Sequence, residues 1–417
     1  MTWRAAALAT AVLFTASVNA QNPLREGEAG RAALAALSAG EQEAEDELIR
    51  IGSIESPSGE EGLRAEAVAE LMREAGLTDV TITAAPNVIG RIPGRSHGMA
   101  LVFVSTLDDL TTVTEHQRAA GVPLRRDGDR IVGPGGNTSL TTAAMLAAAE
   151  ALVAAGFVPE HDIVFAGVAQ EETGLKGMRS LYESYKDEAA AFVDILGDGS
   201  DIAYGALGIH WWRVEASGPP GHTLRGGLPN VNQGIAEAVS RIFELPAAAD
   251  QPDMTRLNVA ILNSGKVFNH KPPEGWFSLD IRSLDAERIA DVEADIGELL
   301  ADVSAETGIA FEMKEENLVP GGQIEGARDS ALVRWAEAIA KGEGRAAELN
   351  DAGSANLNVA IAGGTPAIGL GGERGGERGH PGEWADIPVL HRTARVVALL
   401  AIAMGEGAEP PERAAAD

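Results

Sequence analysis

The chain contains no cysteine and has far fewer basic than acidic residues. Its 417 residues include 33 Lys and Arg against 62 Asp and Glu, which gives a formal net charge of -29 at pH 7. The absence of cysteine excludes disulfide bonds and thiol chemistry. The shortage of basic residues argues against nucleic acid and anionic membranes as partners, because phosphate neutralisation needs clustered Lys and Arg.

Long apolar runs are also scarce after the N-terminal segment. The first twenty residues, Met1–Ala20, combine an early Arg4 with an apolar run and end on the small residues VNA. Such a pattern is typical of a cleavable secretory signal peptide. We therefore expect a mature chain that starts near Gln21 and is periplasmic or secreted. No later stretch is expected to span a membrane, because a spanning helix needs about 18 apolar residues.

The length and the hydrophobic pattern predict an α/β protein with more than one core. A chain of 417 residues with 45% hydrophobic and 23% charged residues is globular and too long for one ordinary core. Apolar runs at 99–109 and 162–172 are typical of buried strands, and an Ala- and Leu-rich helical stretch at 138–155 separates them. This alternation indicates a mostly parallel sheet with helices on both faces, whose ligands gather beyond the carboxyl ends of the strands.

The pattern changes near Gly205, where a β-α-β-β-α-β order begins. That order is the signature of a small α+β sandwich, and the α/β pattern resumes after Pro320, so we predict an inserted lid domain. The predicted divisions are a signal peptide (1–20), a catalytic-type domain in two parts (21–206 and 319–405), the inserted lid or dimerisation domain (207–318), and a disordered tail (406–417).

Acidic and imidazole side chains follow several of the predicted strands. The adjacent carboxylates Glu171 and Glu172 end the run VFAGVAQEE. Adjacent side chains at a strand end diverge, so one can ligate a metal while the other acts as general base. Asp108 in STLDD, Asp198 in ILGDGSD and His380 in RGHPGEW stand at comparable places. We therefore expect a catalytic site at this edge of the sheet.

Taken in order, these motifs resemble those of the zinc exopeptidase family of aminoacylase, carboxypeptidase G, peptidase T and succinyl-diaminopimelate desuccinylase. The resemblance covers nearly all of the chain after the signal peptide, including the inserted domain, which often mediates dimerisation. It implies a metallopeptidase-like amidohydrolase that acts on small peptides or N-acyl amino acids. The implied partners are a small-molecule or peptide substrate with a free carboxylate and a second copy of the chain bound through the lid.

The resemblance implies a role for each strand-end residue. Glu171 matches the general base, and Glu172 matches a ligand of the second zinc. Asp198 matches a ligand of the first zinc, and His380 matches the histidine of the second. Asp108 matches the aspartate that orients the histidine of the first zinc.

Three residues of the inserted domain also match the family. His222 in PPGHT resembles a histidine that reaches substrate across a dimer. Asn269 and Arg282 match an asparagine and an arginine of the family's lid. The resemblance therefore implies that these three side chains bind substrate.

Three other positions depart from the family pattern. Thr106 stands where the first-zinc histidine belongs, Asn137 where the metal-bridging aspartate belongs, and Asn356 where a further aspartate is expected. No Asp or Glu lies in 131–149, so the loss of the bridge does not depend on the alignment. A neutral amide is a poor zinc ligand. We therefore predict a degenerate site with zinc or another divalent metal, at most one per chain, or with no metal.

Two functional hypotheses remain open. The first is an exported hydrolase of peptide or N-acyl amide bonds in which Glu171 activates water. The second is a metal-depleted relative, either a ligand-binding protein or a metal-independent acid–base enzyme, whose crowded carboxylates raise the pKa of at least one member. Arg374 and Arg378 precede His380 by six and two residues, and the sequence favours a solvated basic pair over a substrate-binding one.

Overall fold

The computed structural model describes residues 23–96, 98–249, 251 and 254–411. The predicted signal peptide (1–20) and the last six residues of the predicted tail (412–417) lie outside the described residues. The described residues form a large sheet covered by helices and a smaller sheet inserted into the same chain.

The helices and strands alternate along the chain much as the apolar pattern predicts. The helices are α1 (Pro23–Glu26), α2 (Glu28–Ala39), α3 (Glu41–Gly52), α4 (Gly62–Glu74), α5 (Thr111–Ala120), α6 (Gly136–Ala154), α7 (Lys176–Tyr185), α8 (Val231–Ile242), α9 (Ala286–Thr307), α10 (Ala331–Gly342), α11 (Leu357–Ala362) and α12 (Ile387–Gly405). The strands are β1 (Thr78–Ile82), β2 (Val88–Ile92), β3 (Ala100–Thr106), β4 (Arg125–Asp127), β5 (Arg130–Val132), β6 (Ile163–Val168), β7 (Ala189–Ile195), β8 (Asp201–Ala203), β9 (Gly208–Ser217), β10 (Gly221–His222), β11 (Arg256–Asn258), β12 (Leu262–Ser264), β13 (His270–Lys271), β14 (Glu274–Ser283), β15 (Ala310–Val319), β16 (Glu348–Asn350), β17 (Ala367–Gly371), β18 (Gly375–Gly376) and β19 (Trp384–Asp386).

The large sheet has the strand order β1-β2-β6-β3-β7-β17-β8-β16. Its central strands β6, β3, β7 and β17 run parallel, whereas β1, β2 and the β17–β8 pair are antiparallel. Strands β3 and β6 are buried along their whole length, because helices α6 and α12 cover one face and α7 and α11 cover the other. The predicted α/β class, with helices on both faces of the sheet, is confirmed.

The smaller sheet is antiparallel and has the order β11-β14-β9-β15, with β12 also paired to β14. Helices α8 and α9 pack on one of its faces. The chain leaves the large sheet after β8 and rejoins it at β16, so β9 to β15 (208–319) correspond to the lid predicted at 207–318. Strands β11 and β12 are separated by Ala260 and Ile261, which donate their N–H groups to Oγ of Ser278.

Within the described residues, one helix, α12, is long and apolar enough to cross a membrane. Most of it is buried in the core of the large unit, where it packs against α2, α6 and α10. Its composition is therefore that of an interior helix.

Candidate active site

The candidate site lies at the carboxyl ends of three adjacent parallel strands, β3, β6 and β7. Thr106 ends β3 beside Val168, the last residue of β6, and Asp194 lies near the end of β7. Parallel strands that end at the same edge bring their following loops together. The loops after β3 and β6 carry Asp108 and the Glu171-Glu172 pair, so these residues lie together at the edge of the sheet where the sequence predicts a site.

Asp108 holds the turn that carries the paired glutamates. Its Oδ1 accepts a hydrogen bond from the backbone N–H of Glu171 at 2.9 Å, and its Oδ2 accepts one from Glu172 at 3.0 Å. Burial raises the pKa of Asp108 to about 6, although these two hydrogen bonds oppose the shift. Thr106 stands where the family resemblance places the histidine that Asp108 was predicted to orient, and Asp108 instead orients the backbone of the turn that carries Glu171 and Glu172.

Glu171 is surrounded by other acidic groups of the site. Burial raises the pKa of Glu171 to about 8, and the charges of Glu172 and Asp108 add to this shift. Asp194 acts in the same direction, while Arg378 lowers the pKa. A carboxyl group with these neighbours can exchange a proton near neutral pH, which is what acid–base catalysis requires.

Two arginines accompany the carboxylates. Nη2 of Arg378 donates to Oε1 of Glu172 at 2.6 Å. Burial lowers the pKa of Arg374 to about 10, and the charge of Arg378 lowers it further, whereas Glu171 and Glu172 oppose the shift. Arg374 is therefore less solvated than predicted, whereas Arg378 is exposed, as predicted, and contacts Glu172. The order of the strands in the sheet places the loop of the two arginines beside the paired glutamates, and a local sequence pattern cannot predict this contact.

Asp194 is a site residue that the sequence analysis missed. It is fully buried, with Oδ1 3.3 Å from Nδ2 of Asn356 and Oδ2 accepting from the N–H of Leu357. The same Asn356 amide donates to Oγ1 of Thr106 at 3.1 Å. Burial raises the pKa of Asp194 to about 7. An aspartate inside the otherwise apolar run AAAFVDI was the available signal.

The contacts of Asp198 argue against its predicted role as a metal ligand. Its Oδ1 accepts from Oγ of Ser200 at 2.7 Å, and its Oδ2 accepts from Nε of Arg392 at 2.9 Å. Nε of Arg345 lies 3.3 Å from the same Oδ2. The buried carboxylate is thus neutralised by arginines that follow α10 and lie on α12, so Asp198 serves as an internal ion-pair partner.

Glu383, in the HPGEW segment, is a second residue that the sequence analysis missed. It is fully buried, and its Oε1 accepts from the N–H groups of Gly135 and Asn137 at 2.9 and 3.0 Å. Its Oε2 accepts from the N–H of Gly379 at 3.0 Å. Burial raises the pKa of Glu383, and these hydrogen bonds oppose the shift. Glu383 therefore ties the start of α6 to the loop that carries the two arginines.

The residues at the site do not fit a two-zinc centre. Thr106 and Asn137 offer a hydroxyl and an amide at the positions of a histidine and a bridging aspartate. Of the predicted ligands, Glu172 and Asp198 are paired with arginines, and His380 is exposed. Across the described residues, no group of three or more His, Cys, Asp and Glu side chains is arranged to hold a metal ion.

The structure brings together two of the three predicted substrate-binding residues of the lid. Nδ2 of Asn269 lies 3.0 Å from Nε2 of His222, and its Oδ1 lies 2.9 Å from Nδ1 of His270. Nδ1 of His222 accepts from the N–H of Leu224, which fixes the ring. Arg282 instead pairs with Asp280, two residues earlier on β14, at 3.0 Å. His222 and Asn269 therefore form one cluster, and Arg282 belongs to another.

Comparison with solved structures shows the same fold. The aminopeptidase PepT from Bacillus cereus superposes with a TM-score of 0.72 at 19% identity, over 86% of this chain and 97% of that chain. A tripeptidase from Staphylococcus aureus gives 0.72 at 20% identity, over 86% and 97%. The Bacillus subtilis YXEP protein, a dinuclear metal binding peptidase from the M20 family, gives 0.66 at 14% identity, over 88% and 99%.

A comparison with curated protein sequences gave no match. The sequence pattern of peptidase family M20/M25/M40, in contrast, matches residues 109–403, which is well over half of the chain. This match agrees with the exopeptidase resemblance of the motifs and with the two-part fold. The chain therefore belongs to peptidase family M20/M25/M40, a family of hydrolases that act on C–N bonds.

Proposed function

We propose that this chain is an exported hydrolase that cleaves the amide bond of small peptides or N-acyl amino acids, with Glu171 as the proton-transfer residue. One observation carries the proposal. Asp108 anchors the backbone of Glu171 at the carboxyl end of β6, and the glutamate side chain lies among the charged groups of the site. Export rests on the secretory pattern of the first twenty residues.

In this reaction Glu171 accepts a proton from the water that attacks the amide carbon. The C–N bond then breaks, and Glu171 returns the proton to the departing amine, so that one water is consumed for each bond cleaved. Asp108 keeps Glu171 in place through the backbone and does not exchange the proton itself. The donor set does not fit a two-zinc centre, so no step is assigned to a metal.

The lid supplies the groups that recognise the substrate carboxylate. His222 and Asn269 are exposed enough to meet a ligand, and their mutual contact orders both side chains. We include a homodimer in the proposal, because the family resemblance places the histidine of one subunit at the site of the other. The free carboxylate of a peptide or an N-acyl amino acid is the group that these donors suit.

The test is a panel of dipeptides, tripeptides and N-acyl amino acids, with amine release measured for the wild type, Glu171→Gln and Glu66→Gln. Glu66 is an exposed carboxylate on α4 and serves as the matched control. We expect Glu171→Gln to lose about 100-fold or more in turnover and the control to be unchanged. Equally poor hydrolysis by the wild type and Glu171→Gln across the whole panel would refute the proposal.

A second candidate of the same fold is a ligand-binding protein or a metal-independent acid–base enzyme that catalyses isomerisation or elimination rather than hydrolysis. The observation that favours it is the direct pairing of Glu172, a predicted metal ligand, with Arg378. Thermal-shift measurements with the same panel distinguish the two candidates. Compounds that stabilise the protein while their amide bond stays intact would support the second candidate, and hydrolysis of any of them would support the first.

A further inference from the structure

Like-charged groups crowd the carboxyl ends of β6 and β7. The charges of Glu172, Asp108 and Asp194 all raise the pKa of Glu171. Neighbouring carboxylates in a partly dry site repel each other unless they take up protons or a positive charge lies among them. In a dinuclear peptidase the metal ions supply that charge. In this chain the donor set for such ions is incomplete, whereas two arginines, Arg374 and Arg378, act on the carboxylates.

Arg378 supplies one positive charge by direct contact. Its guanidinium donates to Glu172 at 2.6 Å, a short, charge-assisted hydrogen bond. The side chains are 36% and 22% exposed, so the pair lies at the mouth of the site and is only partly hydrated. One carboxylate oxygen of Glu172, Oε1, is therefore engaged by the guanidinium.

Arg374 supplies a second positive charge without a hydrogen bond. Within the described part of the chain, its guanidinium has no hydrogen-bond or ion-pair partner, although its charge acts on Glu171, Glu172 and Glu383. It also lowers the pKa of Asp194. Its charge therefore acts on four carboxyl groups of the site without a hydrogen bond to any of them.

A hairpin holds both arginines in position. Strands β18 and β19 pair through Gly375 with Ala385 and Gly376 with Trp384, and the carbonyl of Arg374 accepts from the N–H of Asp386. A Cβ at Gly376 would overlap the indole ring of Trp384, so the hairpin closes this tightly only with glycine. The arginines thus project from a built element into the site.

We propose that Arg374 and Arg378 replace the metal cations of the family, so that a guanidinium pair compensates the charge of the carboxylates and the site binds no zinc. The inference does not depend on the proposed hydrolysis, since it concerns what neutralises the site. It explains together the loss of the zinc-binding types at Thr106 and Asn137 and the engagement of Glu172.

The first experiment measures zinc. The purified mature protein is exposed to excess zinc chloride and passed through gel filtration, and bound metal is counted by mass spectrometry. We expect less than about a tenth of an ion per chain for the wild type, because the neutral side chains at two ligand positions bind zinc poorly. One ion per chain that is lost in Glu172→Gln would overturn the inference.

Two engineered variants separate the arginine from the missing ligands. Thr106→His with Asn137→Asp restores the donor types while Arg378 still covers Glu172. Addition of Arg378→Ala to the same chain frees Glu172, and we expect at least tenfold tighter zinc binding than in the two-site variant. Equal zinc affinity in both variants would show that Arg378 does not occupy the cation position.

A stability cycle covers the case in which those variants fail to fold. We expect Arg378→Gln to lower the melting temperature and Glu172→Gln in the same chain to restore part of the loss, because the second change removes the unpaired carboxylate. The control is Arg118→Gln, which breaks an exposed pair with Glu55 of similar length, 2.7 Å. A fall no larger than the control, or no restoration by Glu172→Gln, would contradict the inference.

Discussion

Single buried polar residues decide the chemistry of this site. The Asn356 amide contacts both the Thr106 hydroxyl and the Asp194 carboxyl group. These three side chains form a hydrogen-bonded network at the place where the family resemblance puts the first zinc. A buried carboxylate next to a neutral amide is tolerable because the amide donates to it. A second carboxylate in place of the amide would instead repel it.

Asn356→Asp tests this network. The substitution places a second carboxyl group within about the 3.3 Å that now separates Asn356 from Asp194. The pKa of Asp194 is already raised to about 7, so at pH 5 the pair can share protons, whereas at pH 8 both would ionise. We therefore expect the melting temperature to fall more at pH 8 than at pH 5. Asn232→Asp, at an exposed position of α8, is the control and should show no such difference.

Glu47 on α3 provides a pH test remote from the site. Its Oε2 is buried without a hydrogen-bond partner. Burial raises the pKa of Glu47 to about 8, and the charge of Glu150 adds to the shift. The pKa of Glu47 is thus higher in the folded protein than in the unfolded chain. Below pH 4 the carboxyl group is protonated in both states and does not lower the stability. As the pH rises towards 8 it ionises more readily in the unfolded chain, so the folded state loses stability.

Glu47→Gln should remove that loss. We expect the variant to be more stable than the wild type at pH 8, by on the order of 2 kcal/mol, and nearly equal to it at pH 4. Denaturant unfolding at the two pH values measures the difference, with Glu66→Gln as the control. If the stability difference between the variant and the wild type is the same at pH 4 and pH 8, then Glu47 ionises as readily in the folded protein as in the unfolded chain, and the expectation is wrong.

At the scale of elements, the β18–β19 hairpin positions the charged side chains of the site. Its glycines allow the strands to close against Trp384, and Glu383 anchors the loop between them to the start of α6. The arginines depend on this hairpin for their place among the carboxylates. The shape of one short element thus sets the electrostatics of the site.

Opposite effects are expected for two Gly→Ala substitutions. Gly376→Ala would press a methyl group into the ring of Trp384 and should destabilise the protein by about 1–3 kcal/mol. Gly297 lies in α9 with open space around it, so Gly297→Ala should stabilise the protein by roughly 0.5–1 kcal/mol. Denaturant unfolding measures both changes. Equal effects would mean that the hairpin is looser than its geometry indicates.

At the scale of the whole molecule, the lid carries exposed apolar side chains near its histidine cluster. Leu224, Leu228 and Phe268 are largely or fully exposed, and they flank His222 and Asn269 along the chain. A surface of this kind is typical of an interaction site. It is consistent with the homodimer that we propose.

Phe268→Glu tests the dimer. If the lid surface joins two chains, light scattering should give twice the chain mass for the wild type and the mass of one chain for the variant, because a buried charge opposes association. Leu63→Glu, which adds the same charge at an exposed position of α4, should leave the mass unchanged. A monomeric wild type would remove the dimer from the proposal.

The sequence by itself determined the elements and the location of the site. Apolar runs at 99–109 and 162–172 predicted the buried strands β3 and β6, since a strand covered on both faces must be apolar throughout. The ordered motifs predicted the family, and the strand ends predicted where Asp108 and the Glu171-Glu172 pair would meet. These are local patterns, or patterns that follow directly from strand direction.

Only the tertiary structure decided which charged groups face one another. Arg378 lies 206 residues after the glutamate that it contacts. Asp194 is in the site, while Asp198, four residues later, turns away to Arg392. Such pairings depend on strand order and on the path of each loop, and a local sequence pattern predicts neither of these. The balance of charge at the site is therefore a property of the fold, even though the sequence supplies every charge.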